Sequence, residues 1–498
     1  MFGTIAPMSN PIPARIAAVL AAAMLSALLA ASATAAPARD RPLVTGIVDP
    51  VVFSGAQQQL AFRRTKAAGA TVVRLALTWK EIAPRRPTGD RTNPQNPGYS
   101  WAAFDIQVQN AVAAGLTPIL GIATTPDWAR DVRSAGLEDT NWPLIDELAG
   151  FAQAAAWRYS GLYDGLPRVG IWQVWNEPNA RSHLRPQFRK GVPISPGHYR
   201  RMVNAVAGAV RFVDSKNLVV AGGLSPFGHY SADIRVVAPQ RFMRQLLCLG
   251  RTLKATCGLR TSFDAWSIHP YTSGGPTHHA QARDDVSLGD LGEMRRILDA
   301  AVGARHIYAS VPVEFWVTEF AWDSKPADPT GVPVALHARW VSEALYRMWQ
   351  AGVSLVTWYR IRDEPLVSTP YQCGLWFGGR ADLLADRPKP SLQAFRFPFV
   401  AFGGKSGASV WGRLPHGTPG TVAIERRASS RWIRFATVQT DEEGIFQRRF
   451  AGPTSGPMRA RLLTRTESSV AFSLRVPKEM RVTPFGCGGG VPCPSGTN

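Results

Sequence analysis

Short apolar runs alternate with amphipathic stretches from residue 43 to about residue 360. The runs are Leu43–Val48, Thr71–Trp79, Thr117–Thr124, Val169–Trp175, Leu218–Gly223, Phe263–His269, Val313–Phe320 and Val353–Tyr359. Most are continuous rather than alternating, as expected of strands buried on both faces of a parallel sheet. The segments between them have helical spacing. Trp101, Phe104, Val108, Val112 and Leu116 recur at threes and fours, and so do Tyr199, Met202, Val203, Val206, Val210 and Val213. Ser195 and Pro196 read as the cap and first residue of that second helix. Leu291, Met294, Ile297 and Leu298 mark another, and Trp340, Val341, Leu345, Met348 and Trp349 the last. Eight strand–helix repeats, with strand starts about 44 residues apart, predict a (β/α)8 TIM barrel with decorated loops. An open doubly wound sheet is the alternative, but no glycine-rich phosphate turn follows the first run.

Past residue 402 the pattern changes to short strand-like runs divided by turns, which predicts a small C-terminal β-sandwich. The expected layout is an export signal over 1–35, a barrel over 37–402, a linker over 403–407, a sandwich over 408–485 and a tail over 486–498. The signal rests on Arg15, the uncharged apolar run Ile16–Ala30 and the small-x-small sequence Ala33-Thr34-Ala35. That run is short for a permanent anchor. The chain is therefore expected outside the cell or at its envelope, without stable membrane insertion.

Five cysteines suit an oxidising compartment. Spacing pairs Cys248 with Cys257 and Cys487 with Cys493, leaving Cys373 free. Metal binding is the rival reading, but there is no C-x-x-C and no histidine clustered with these residues. Lysine and arginine outnumber acids 56 to 36, a net charge of +20. The excess is scattered rather than gathered into one arm, which argues against nucleic acid. It suits either a soluble arginine-rich surface or an acidic cell-wall polysaccharide.

Two carboxylates stand out. Trp172-Gln173-Val174-Trp175-Asn176-Glu177-Pro178-Asn179 follows the fourth run, and Trp316-Val317-Thr318-Glu319-Phe320 ends the seventh. Side chains at the C-terminal ends of barrel strands face the active site, and a lone buried Glu is costly unless paired or functional. Retaining glycoside hydrolysis uses two such groups about 5–5.5 Å apart, one to protonate the leaving oxygen and one to attack carbon.

These motifs resemble the signature of glycoside hydrolase clan A, with families 39 and 5 nearest. The resemblance covers roughly residues 43–400 and implies that Glu177 is the acid/base and Glu319 the nucleophile. It further implies that Asn176 meets the sugar 2-hydroxyl and that Arg74 on the second strand sits near the nucleophile. His269 and Tyr271 match the residues ending the sixth strand, and Trp358 the aromatic floor from the eighth. Arg74 and the Tyr271 hydroxyl are expected to keep Glu319 ionised, and no metal or organic cofactor is required. Trp79, Asp127 and Trp128, with Arg360 and Arg362, are further candidates to line the cleft. The rival classes are a catalytically inactive carbohydrate-binding barrel and a cell-surface adhesion protein acting through its sandwich.

Overall fold

The computed structural model describes residues 41–482 except 231–234, 327, 366–370, 379–381 and 453–454. The expected export signal, the tail, and Cys487 and Cys493 lie outside the described residues. Each of the eight apolar runs is a strand: β1 (Val44–Val48), β2 (Val72–Thr78), β3 (Thr117–Ala123), β4 (Ile171–Val174), β5 (Leu218–Leu224), β6 (Ala265–Ile268), β7 (Glu314–Phe320) and β8 (Leu355–Tyr359). They pair in parallel, in chain order, and β1 closes on β8 from Val44↔Leu355 to Val48↔Tyr359. The principal outer helices are α1 (Gln58–Ala67), α2 (Ala102–Ala113), α3 (Ile145–Arg158), α4 (Ser195–Val213), α5 (Pro239–Leu246), α6 (Leu291–Gly303), α7 (Val334–Gln350) and α8 (Pro390–Arg396). Among the described residues no helix is long and apolar enough to cross a membrane.

The helical spacing translates directly into burial. Tyr199, Met202, Val203, Val206 and Val210 line the inward stripe of α4, while Phe212 on its outer side is exposed. Ser195 does not cap this helix. Its hydroxyl donates to Gln187 Oε1 at 2.6 Å, and Ile194 holds the cap position without a side-chain bond.

The barrel interior is layered by the two-residue alternation of strands. The lowest layer takes one residue from every strand: Val44, Val72, Ile119, Ile171, Val220, Ala265, Trp316 and Leu355. Two positions further on lie Gly46, Arg74, Gly121, Gln173, Gly222, Ser267, Thr318 and Thr357, a layer of small and polar groups. Two register shifts then break the alternation. On β7, the two residues between Val317 and Phe320 lie opposite the single Thr357 of β8, so Glu319 turns inward beside Thr318. On β5, a shift opposite Ser267 and Ile268 turns both Gly222 and Gly223 inward. Both glycines have positive φ, 94° and 59°. A Cβ on Gly222 would lie 2.2 Å from Ser267 O, and one on Gly223 2.6 Å from Gln173 Nε2. Only glycine leaves that room.

After α8 come β9 (Phe399–Gly403), β10 (Gly407–Arg413), β11 (Thr421–Ala428), β12 (Arg431–Gln439), β13 (Ile445–Ala451), β14 (Pro457–Leu462) and β15 (Phe472–Ser473). They make a three-stranded antiparallel sheet, β9-β10-β13, and a four-stranded one, β12-β11-β14-β15. Phe402 against Phe472 and Phe435 against Phe450 pack the two together. The expected linker, 403–407, is instead the turn of the β9–β10 hairpin, closed by Gly404 N–H donating to Gly407 O at 2.7 Å. The sheets adhere to the barrel. Trp411 is buried against Tyr346 and Trp349 of α7, and Arg396 pairs with Glu467 at 2.7 Å. Cys248 and Cys257 form a disulfide, and Cys373 is buried and unbridged among the described residues.

Candidate active site

The upper ends of the strands gather Arg74, Asn176, Glu177, Tyr271 and Glu319 around one cleft of about 390 Å³. Chain geometry presents Glu177. After β4 the backbone passes through positive φ at Trp175 (69°) and again at Glu177 (41°), a conformation that costs bulky residues of order 1–3 kcal/mol and gathers at functional sites. The turn is held from both sides. Glu177 N–H donates to Gly223 O at 2.9 Å. The buried Asn179 amide donates to Ser225 O and Val237 O and accepts from Ser225 N–H at 2.8 Å.

Arg74 organises the floor. Its side chain is 7% exposed. Nε donates to Gln173 Oε1 at 2.8 Å, Nη1 to Glu319 Oε1 at 2.6 Å and Nη2 to Asn176 Oδ1 at 2.8 Å. With its oxygen so engaged, Asn176 turns its amide N–H groups away from the arginine. The second Glu319 oxygen accepts from the Tyr271 hydroxyl at 3.1 Å. The fully buried His269 ring lies between the acids, with Nδ1 3.2 Å from Glu177 Oε1 and 3.7 Å from Glu319 Oε2. Its Nε2 is 3.2 Å from Thr318 Oγ1. His183 Nδ1 lies 3.6 Å from the other Glu177 oxygen.

Burial opposes ionisation of Glu319, but the pull of His269 and Arg74 and the hydrogen bonds from Arg74 and Tyr271 outweigh it. Its carboxyl is held below the usual range. Burial, reinforced by the charge of Glu319, pushes the Tyr271 hydroxyl well above its ordinary value, so it stays a donor.

Several candidates lie elsewhere. Trp358 does not floor the cleft. Alternation turns it outward, where it is 1% exposed, packs against Phe320, His337 and Phe395, and donates from Nε1 to Cys373 O. Its neighbour Tyr359 faces inward and, with Tyr371, forms the aromatic wall of the cleft. Trp79 is wholly buried on Phe151 and Trp128, and Trp128 donates to Ala83 O. Asp127 is exposed and pairs with Lys80 and Arg130. Neither strand-eight arginine is available to a sugar carboxylate. Arg360 pairs with Asp49 at 3.0 Å and Glu364 at 2.6 Å, and Arg362 with Asp386 at 2.8 Å.

His183, Tyr359 and Tyr371 line the cleft, and the buried Gln173 holds Arg74 beneath it, although the motifs do not single them out. Gln173 carried a signal, being a polar residue in a buried apolar strand; Tyr371 comes from a loop with none. Among the described residues, no group of three or more histidine, cysteine or acidic side chains is placed to hold a metal ion.

The barrel that carries this cleft has counterparts among known proteins. The family model for cellulase (glycosyl hydrolase family 5) matches residues 43–296, just over half the chain. Among solved structures, a family 39 glycoside hydrolase from the gut symbiont Bacteroides cellulosilyticus WH2 superposes with a TM-score of 0.51 at 16% identity, covering 83% of this chain and 81% of that one. A conserved exported protein from Bacteroides fragilis gives 0.47 at 12% identity, with 82% and 98% covered. A glucosidase from Croceicoccus marinus gives 0.45 at 13%, with 83% and 93% covered. No curated protein matches the sequence. With the fold shared with the family 39 enzyme and the family model matched from β1 past β6, the chain belongs to the cellulase family, glycosyl hydrolase family 5.

Proposed function

We propose that this protein is an exported retaining glycoside hydrolase acting on a polysaccharide or oligosaccharide, with Glu319 as nucleophile and Glu177 as acid/base. The observation that carries the proposal is the convergence of both carboxylates on one nitrogen, His269 Nδ1. It keeps the nearest carboxylate oxygens within about 7 Å of each other, compatible with the 5–5.5 Å of a retaining pair and short of most of the 6.5–9.5 Å range that leaves room for an inverting water.

The environments divide the roles. Arg74 and the Tyr271 hydroxyl both bond Glu319, which favours its charged, attacking form. Among the described residues no arginine pairs with Glu177, which stands at the cleft beside His183. In the first step Glu319 bonds the anomeric carbon, the glycosidic C–O bond breaks, and the leaving oxygen takes the Glu177 proton. In the second, water attacks that carbon, Glu177 takes the water proton, and the bond to Glu319 breaks. The Asn176 amide, oriented by Arg74, donates to the sugar 2-hydroxyl beside the reacting carbon.

Proton NMR of the first product is the test, and retention of anomeric configuration is the expected result. Inversion would mean that Glu319 activates water instead of attacking carbon. Glu319→Ala abolishes turnover. Glu177→Ala spares substrates with good leaving groups, regains rate with azide, and loses about 10²–10⁴-fold as the leaving group worsens.

A further inference from the structure

The outer face of the four-stranded sheet carries a charge pattern that neither the fold nor the cleft uses. The cross-strand register sets Glu425 opposite Arg434 on β12 and Arg459 on β14, and Arg427 opposite Trp432. Residues directly opposed across antiparallel strands share a face. The other face, with Val422, Ile424, Met458 and Ala460, is buried inside the sandwich. On the outer face, Glu425 is neutralised twice, by Arg459 Nε at 2.8 Å and Arg461 Nε at 2.7 Å. The Arg459 guanidinium also lies over the Trp432 ring, 4.4 Å from its centroid. Arg427 and Arg434 are exposed and make no ion pair among the described residues. Four arginines share this face with one tryptophan and one acid, more positive charge than the acid balances, and the buried face supplies the packing without them.

We propose that this face binds an acidic polysaccharide, laid across β11, β12 and β14. The stacked Arg459–Trp432 pair offers a flat surface for a sugar ring. Arg427 and Arg434 present open guanidinium forks, which match carboxylate geometry. The chain-wide excess of 56 basic over 36 acidic residues draws such a polymer in. The platform does not extend the cleft. The sandwich packs on α7 and reaches the start of β1, where Arg413 Nη1 lies 3.5 Å from Thr45 Oγ1; Glu425, Arg427, Trp432, Arg434 and Arg459 are not among the residues lining the cleft, whose carboxylates sit at the opposite end of the strands. Its role is to hold the protein on a polymer, whatever bond the cleft cleaves.

Binding, not hydrolysis, is therefore the readout, and the result stands apart from that of the product NMR. Titration calorimetry of the full chain uses polygalacturonate, neutral arabinoxylan and single-stranded DNA as probes. Polygalacturonate binds wild type, more weakly at high salt. R427E/R434E lowers the affinity by about tenfold or more, W432A by several-fold, and arabinoxylan does not bind at this face. The control R63E/R251E changes net charge equally at two other exposed arginines and shifts affinity by less than about twofold. Equal weakening in the control, or DNA held as tightly as polygalacturonate with the same dependence on Trp432, overturns the proposal.

Discussion

Replacing Arg74 with methionine isolates the electrostatics of the cleft. Methionine keeps an apolar stem in the same space but removes the charge and three donors, to Gln173, Glu319 and Asn176. Both partners of the Arg74–Glu319 pair are largely buried, at 7% and 13% exposure, so the loss is not softened by solvent. Removing one partner of a buried pair costs about 3–5 kcal/mol, because the other charge is stranded. That cost depends on pH, and the sign follows from Glu319. In the wild type its folded pKa is depressed, so its contribution is present at neutral pH and lost as pH falls through the folded value. Without Arg74 burial is opposed only by His269 and Tyr271, the folded pKa rises, and Glu319 takes up a proton earlier on acidification. Urea unfolding of both proteins, followed by tryptophan fluorescence, should show a deficit of about 3–5 kcal/mol near pH 7 that narrows by about 1–2 kcal/mol near pH 4.5. Over the same range kcat/KM should fall about 10²–10³-fold, and the acid limb of the pH–rate profile should move upward. A deficit constant across pH, with an unmoved acid limb, would refute the reasoning and reduce Arg74 to a packing residue.

Trp358→Ala should destabilise by about 3–5 kcal/mol in thermal unfolding and leave KM unchanged in the folded fraction, whereas Tyr359→Ala should raise KM with a smaller loss of stability. Burial, with the charges of Asp284 and Asp290 adding to it, raises the Asp285 carboxyl to about 7 against the bond from Gly228 N–H. The fold therefore loses stability as pH rises from about 4 to 7, and Asp285→Asn, which keeps the acceptor for Gly228, should gain at most about 4 kcal/mol near pH 8 and nothing near pH 4. A chain ending at Gly404 strips Trp411 from Tyr346 and Trp349; its melting temperature should fall, while folded material keeps its activity on small glycosides.

The barrel was legible because its strands are continuous apolar runs, and each begins and ends within two residues of the stretch that predicts it. The two carboxylates were legible from chemistry rather than from periodicity. Strict alternation would have turned Glu319 away from the cleft, and only the irregularity between Val317 and Phe320 brings it in. The same alternation could have corrected the choice of Trp358 over Tyr359, since Thr357 faces inward and its successor outward. Arg360 and Arg362 read as open because their acids, Asp49 and Asp386, are brought to them only by folding. Gly403–Gly407 misleads for another reason: the residues that make a flexible linker are also those that make a tight hairpin turn.

The apolar layer at the base of the barrel, one side chain from each strand, also insulates. It sets one apolar side chain from each strand between the carboxylates and the rim where Arg413 meets Thr45. A change of cargo on the sandwich reaches the cleft by way of the outer helices or of the segment after β15, where Val482 N–H donates to Ser273 O at 3.0 Å, two residues past Tyr271. Sandwich and cleft are thus separated along the strand axis but joined at the loop after β6, so a module exchanged for the sandwich would have to cover the same face of α7 and also replace the bond to Ser273.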